Sequence, residues 1–266
     1  MSSHSNEEDK SIESKNHPQQ DHFEITEEKP GFFSYENLKS LSILILAVLA
    51  FRSSIMSPYV VPTPSMEPTI KVGDRLLAFK LSYNLRVPFT EIALASWGGP
   101  ERGDIIVFPF PQDKSIDYVK RVVGVAGDTI KIRNDIVYIN GTAQEQQDHN
   151  FDRTILDDID EDKTLVRLFK ENLSGLHHWV IRKHPFAQHA ASGDWGHKQW
   201  IVPHGHVFVM GDNRHNSYDS RFWGMVPVSS VRGKALFVLW SHYFPGESWL
   251  DFKFRFNRFG GWLDSM

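Results

Sequence analysis

The 266 residues contain no cysteine. That excludes a disulfide framework, a thiolate nucleophile and any zinc site built on cysteine, while leaving the redox compartment open. An excess of either sign of charge is small as well. The net charge is −4, and residues 1–36 hold nine Asp or Glu against Lys10, Lys15 and Lys29, so the remainder of the chain carries +2. There is no broad basic surface of the kind nucleic acid demands, and no nucleic-acid partner is expected. A long unbroken apolar run is missing too. The uncharged stretch from Ser40 to Phe51, at about 1.5 Å of rise per residue, covers only about 18 Å of a hydrocarbon core roughly 30 Å thick.

What is present organises itself along the chain. The acidic, serine-rich residues 1–30 cannot bury enough apolar surface to offset the entropy of ordering, and are read as disordered. Extending the apolar stretch to residues 32–57 gives a single transmembrane anchor, with Lys39 and Arg52 snorkelling to the interfaces and Phe32, Phe33 and Tyr35 as an aromatic belt. A cleaved leader would need a short basic segment where this chain has a polar, acidic one. A buried core helix is the alternative. Basic residues on both sides of the anchor leave its orientation unspecified.

After the anchor, short β-branched runs alternate with the pairs Gly73-Asp74, Gly103-Asp104, Gly127-Asp128 and Gly211-Asp212. Each pair reads as a turn at a strand boundary. The runs predict strands over 75–80, 104–108, 118–125, 129–133, 136–139, 206–210 and 234–240. Many short strands with turn signals indicate a mainly β protein. Residues 58–140 and 203–266 read as a β-rich catalytic domain. Between them, 141–202 reads as an inserted second lobe with an acidic run at Asp157–Asp162 and a histidine-dense stretch that suits a polar loop. The C-terminal aromatics and arginines suit either a membrane surface or a cap over the core.

The chemistry is sought in Pro62–Ile70, Pro-Thr-Pro-Ser-Met-Glu-Pro-Thr-Ile. Three prolines rule out a regular helix and place Ser65 on a stiff, extended segment. A serine hydroxyl needs a base. Of thirteen histidines, seven (His177, His178, His184, His189, His197, His204 and His206) crowd into one region and none has a local catalytic signature. Their spacing also lacks the paired pattern of a metalloprotease helix, and no cofactor or metal is expected. Lys120 lies in a strand pattern beside Arg121, so the two side chains point apart, one inward and one toward solvent. Arginine does not deprotonate, which leaves Lys120 as the candidate base. Taken alone, it reads more readily as a surface lysine on an edge strand.

The set of boxes Pro62–Ile70, Val72–Lys80, Arg102–Phe108, Asp117–Asp128 and Gly211–Gly224 resembles the type I signal peptidase family. These membrane-anchored serine proteases use a Ser/Lys dyad to remove leader peptides from exported proteins. The resemblance implies a signal-peptidase-type β-rich catalytic domain with an inserted lobe behind one N-terminal transmembrane helix. It also implies a bacterial inner-membrane location with the catalytic domain on the outer, periplasmic side. Signal peptides and the lipid bilayer are then the partners, and a monomer is expected.

Carried over by position, the resemblance implies Ser65 as nucleophile, Lys120 as general base and Thr63 as oxyanion donor beside the Ser65 amide. Ser217 would hold the lysine amine, and Asp219 and Arg221 would form a buried pair behind the site. Tyr59, Val61, Pro62, Ile70, Asp117, Tyr118 and Val119 would wall small S1 and S3 pockets selecting Ala-x-Ala. Pro64 departs from the glycine many members carry, and the disulfide some relatives hold in the inserted lobe is absent. Physics adds a condition. A free lysine titrates near 10.4, so burial must lower Lys120, and Asp117 and Asp219 must stay out of contact with its amine. Other Ser/Lys enzymes, and a non-enzymatic β module whose histidine-rich lobe binds metal, are the competing classes.

Overall fold

The structure, a computed structural model, describes residues 34–90, 92–184, 195–243 and 252–263. The tail at 1–30 and His189 lie outside the described residues. The chain divides into two units, Met1–Leu44 and Ile45–Met266, and every strand belongs to the second.

Helix α1 (Tyr35–Ser54) falls inside the expected anchor and is 20 residues long, about 30 Å at the usual rise. Four consecutive residues, Ile43 to Leu46, are each more than half exposed (60%, 59%, 51% and 60%). A helix that is apolar all round and leaves those faces open suits lipid rather than a protein core. The protein is membrane-anchored.

The strands that follow are β1 (Met56–Val60), β2 (Asp74–Phe79), β3 (Asn84–Arg86), β4 (Ala93–Ser96), β5 (Ile105–Phe110), β6 (Asp113–Gly124), β7 (Thr129–Arg133), β8 (Ile136–Ile139) and β9 (Thr142–Ala143). Then come β10 (Gln146–Asp148), β11 (Val166–Leu173), β12 (Leu176–Lys183), β13 (Gln199–Ile201), β14 (His206–Met210), helix α2 (Ser220–Trp223), β15 (Val226–Pro227), β16 (Gly233–Tyr243) and β17 (Lys253–Phe254). The principal sheet runs β1-β2-β16-β5-β6-β14-β15, with β17 added on β16. The protein is mainly β, as its short runs and turn signals predict.

The centre of this sheet is covered on both faces. On β5, Ile105 and Val107 enter a core with Met66, Ile70 and Leu76, while Ile106 and Phe108 enter another with Val122, Val207 and Val209. That is why Ile-Ile-Val-Phe is an unbroken apolar run rather than an alternation. It also corrects one expectation. Arg121 is not solvated: with both faces covered, pointing away from Lys120 still means pointing inward, and Arg121 is 2% exposed.

The histidine-dense stretch is not a polar loop. Its first part is the hairpin β11–β12, turned through Ser174-Gly175, both at positive φ. His178 faces inward on it and His177 outward, the alternation of a strand having been masked by polar residues on both faces. With β10 the hairpin makes a three-stranded sheet inside the span read as the inserted lobe, whereas β13 leaves that span to pair with β7.

Near the C-terminus the arginines turn in and the aromatics turn out. Arg258 bonds both Asp74 and the Thr69 carbonyl, and Arg255 bonds Ser241 and the Val72 carbonyl. Phe256, Phe259 and Trp262 remain exposed.

Candidate active site

Ser65 sits on a single 3-10 turn, Pro64–Met66, rather than on an extended segment. Thr63 before it is extended, Pro64 supplies a preset φ at the first position, and the Glu67 amide closes the turn on the Pro64 carbonyl at 3.1 Å. Met66 anchors the turn by burying its side chain in the core, 1% exposed. Asn213 clasps it from behind, donating its amide to the Ser65 carbonyl and its side-chain nitrogen to the Pro64 carbonyl, each at 3.2 Å.

Strand β6 brings Lys120 to this turn. Its Nζ donates to Ser65 Oγ at 2.6 Å and to the Val119 carbonyl at 3.0 Å, and the side chain is buried. Burial pushes the lysine down to about 8. The charges of Asp219 and Asp212 oppose that fall, and Arg221 adds to it. Neither Asp117 nor Asp219 is a hydrogen-bond partner of the amine: Asp117 accepts from Arg232 at 2.6 Å, and Asp219 from Arg221.

Asp219 and Arg221 form a buried bidentate pair, both contacts at 2.8 Å, and Asp219 also caps α2 and accepts from the Gly211 amide at 3.0 Å. Ser217 differs from expectation. Its hydroxyl donates to Asp219 Oδ2 at 2.8 Å, and its recorded partner is that carboxylate rather than Lys120. The Thr63 hydroxyl lies 3.4 Å from Ser65 Oγ.

Thr63, Ser65 and Lys120 line a cleft of about 310 Å³. Val61, Pro62, Asp117, Tyr118 and Val119 line it as expected, while Tyr59 and Ile70 do not: Ile70 is fully buried in the core and Tyr59 packs against the same cluster. Val60, Ile116, Asn216 and Tyr218 complete the walls. Alternation along β1 could have signalled Val60. Asn216 and Tyr218 come from a loop whose approach nothing local in sequence announces.

Gly211 was read as a turn glycine, and its φ is not positive. Its role is space. A Cβ there would lie 2.3 Å from the Ser65 carbonyl oxygen and 2.4 Å from Ser217 Oγ. Its neighbour Asp212 holds Arg121 through two contacts at 2.8 and 2.7 Å and accepts from the Thr69 hydroxyl at 2.6 Å.

That pair belongs to a larger buried cluster. Glu171 of β11 forms a bidentate pair with Arg214, and His178 Nε2 lies 3.3 Å from Glu171 and 3.8 Å from Asp212. Burial would raise the Glu171 carboxyl, but Arg214 and His178 hold it well below the usual range. Burial and the charge of Arg121 keep His178 below its ordinary value. Among the described residues, no group of three or more His, Asp or Glu side chains is disposed to hold a metal.

Comparison with known proteins identifies the family. The model of the signal peptidase family, peptidase S26, matches residues 34–240. The chain belongs to this family. It is 36% identical to signal peptidase I of Pseudomonas aeruginosa, over 84% of this chain and 77% of that protein. It is 32% identical to signal peptidase I of Aquifex aeolicus, over 79% and 86%. A crystal structure of a signal peptidase I from Enterococcus faecalis aligns with 52% of this chain and 98% of its own at 28% identity and a TM-score of 0.31. Like other members of the signal peptidase family, this chain is a serine endopeptidase.

Proposed function

We propose that this membrane-anchored enzyme removes signal peptides from exported preproteins after Ala-x-Ala sequences, using Ser65 as nucleophile and Lys120 as general base. The observation that carries the reading is the 2.6 Å contact between the buried Lys120 amine and the Ser65 hydroxyl in an apolar cleft. With the lysine near 8, about one molecule in ten holds a neutral amine at pH 7. The same contact then lets the hydroxyl donate to Nζ, and Ser65 Oγ adds to the scissile carbonyl as its proton passes to the lysine. Negative charge on the carbonyl oxygen meets the Ser65 amide and the Thr63 hydroxyl, donors that act most strongly on the tetrahedral species. Lys120 returns the proton to the departing amine. Water, deprotonated by the same lysine, hydrolyses the acyl-enzyme.

Asp219 and Arg221 act as a buried frame for the loop bearing Ser217. The narrow apolar walls Val61, Pro62 and Val119 favour small side chains ahead of the bond, and substrate enters extended between β1 and β6. In this reading residues 58–140 and 203–266 form the catalytic domain, 141–202 the inserted lobe, and α1 holds the enzyme in the bacterial inner membrane with its active site on the outer face.

The test is cleavage of a preprotein carrying an Ala-x-Ala site by the detergent-solubilised enzyme. Ser65→Ala and Lys120→Ala should each abolish processing while the fold persists, and the double variant should be no worse than either, because the pair acts as a unit. Substantial turnover by Lys120→Ala would remove the lysine from the mechanism.

A further inference from the structure

Residues 157–161 belong to the span read as the inserted lobe, yet their polar groups are spoken for by the core. Lys71 Nζ donates to the Asp157 carbonyl, Arg255 to the Asp158 carbonyl at 2.8 Å, and the Asp160 amide donates to Glu67 Oε1 at 2.8 Å. The segment ends on Glu161, whose side chain is 13% exposed. Its Oε1 accepts from Asn216 Nδ2 and, in a longer contact of 3.5 Å, from Asn213 Nδ2. Its Oε2 lies 3.8 Å from Lys183 Nζ.

Both asparagines serve the cleft. Asn213 is fully buried and bonds two successive carbonyls of the Ser65 turn, while Asn216 lines the cleft wall. A neutral side-chain amide has several rotamers, and a carboxylate acceptor fixes one of them through a charge-assisted bond. A single lobe carboxylate therefore sets two amides, one behind the Ser65 turn and one in the cleft wall.

We propose that Glu161 is a positioning residue for peptide hydrolysis: reaching in from the inserted lobe, it orients Asn213 and Asn216, and through them the Ser65 turn and one wall of the cleft. This rests on the reading of Ser65 as nucleophile. It gives the lobe a part in turnover. Misplacing a reacting group by about 1 Å costs as much as hundredfold in rate, so a remote side chain that fixes two clamps has a measurable effect.

The test measures kcat and KM of the full chain in detergent on an Ala-x-Ala peptide. Glu161→Ala should lower kcat about ten- to hundredfold with KM within about twofold, at an unchanged circular dichroism spectrum. Glu161→Gln keeps an acceptor oxygen for both amides and should stay within about threefold of the parent. Asn216→Asp sets two carboxylates face to face and should lower kcat; adding Glu161→Gln supplies a donor in return and should recover about tenfold or more of the loss.

A parent-like kcat in Glu161→Ala, equal losses in the Ala and Gln variants, or a loss carried by KM alone would overturn the proposal. If Glu161→Ala does not fold, the Asn216→Asp pair decides, and failure of Glu161→Gln to rescue it counts against the proposal. Ser65→Ala, run alongside, separates the two readings. Activity in that variant sinks the nucleophile assignment, whereas an inactive Ser65→Ala beside a fully active Glu161→Ala sinks only the positioning role.

Discussion

Gly211 and Ser65 are packed so closely that a methyl group on the glycine would come within 2.3 Å of the serine carbonyl oxygen. The atom in the way is backbone and cannot swing aside as a side-chain tip can. Gly211→Ala must therefore displace the Ser65 turn, the Ser217 loop, or both. A fall in kcat of about hundredfold or more is expected, with far-ultraviolet circular dichroism showing the β structure retained. Near-parent turnover would mean that the turn tolerates the shift.

The buried lysine makes activity and stability depend on pH in linked ways. Turnover should rise with pH through an apparent value near 8, and Lys120→Arg, which keeps the charge but cannot lose its proton, should be inactive. For stability the sign is as follows. The lysine falls from 10.5 unfolded to about 8 folded, so between those values the unfolded chain binds more protons and stability climbs with pH. Below 8 the full cost of burying the charge is felt, on the order of 3 kcal/mol. Lys120→Met should be more stable than the parent at pH 7 in urea titrations and should lack its share of the climb above pH 8.

Glu67 behaves in the opposite sense. Fully buried two residues from Ser65, with Oε2 unpartnered, it is pushed up by burial to about 7 from 4.5. Amides of the 157–161 segment oppose that rise only in part. Between 4.5 and 7 the folded protein binds more protons than the unfolded chain, so this group makes stability fall as pH rises through that window. Glu67→Gln should raise the melting temperature at pH 8 and leave it little changed near pH 4. Equal shifts at both pH values would mean that packing, not ionisation, sets the effect.

The Thr63 hydroxyl, 3.4 Å from Ser65 Oγ, tests the proposed oxyanion site. Thr63→Val keeps the shape and deletes the donor, and should cost about a hundred- to thousandfold in kcat with little change in KM. Thr63→Ser should retain most activity. Equal losses in both variants would point instead to packing by the methyl group.

Much of this arrangement was legible in the chain. The strands over 129–133, 136–139 and 206–210 match their predicted limits, because β-branched runs there end at turn residues. Three of the four Gly-Asp pairs have the positive φ that a tight reversal needs. The Ser65 and Lys120 side chains meet, and Asp219 pairs with Arg221. What escaped was set by partners far away in sequence. Arg121 looked solvated because alternation reports only one side of a sheet, and no local signal says that a second core covers the other. Ser217 donates to Asp219 because a buried carboxylate two residues on is a strong acceptor within its reach. The hairpin β11–β12 stayed hidden because its inward residues include Glu171 and His178, polar groups that only the buried cluster explains.

That cluster has a consequence for any attempt to shorten the protein. Glu171 and His178 lie on the hairpin β11–β12, whereas Arg214, Asp212 and Arg121 lie outside residues 141–202. Excising residues 141–202 would remove Glu171, the carboxylate that pairs with Arg214, and with it the hairpin that covers the cluster, so a guanidinium now 3% exposed would lose its partner and face water. Residues 141–202 are therefore tied to the rest of the fold by buried ion pairs. A chain cut to the strands around Ser65 and Lys120 would have to cover the surface that the hairpin leaves.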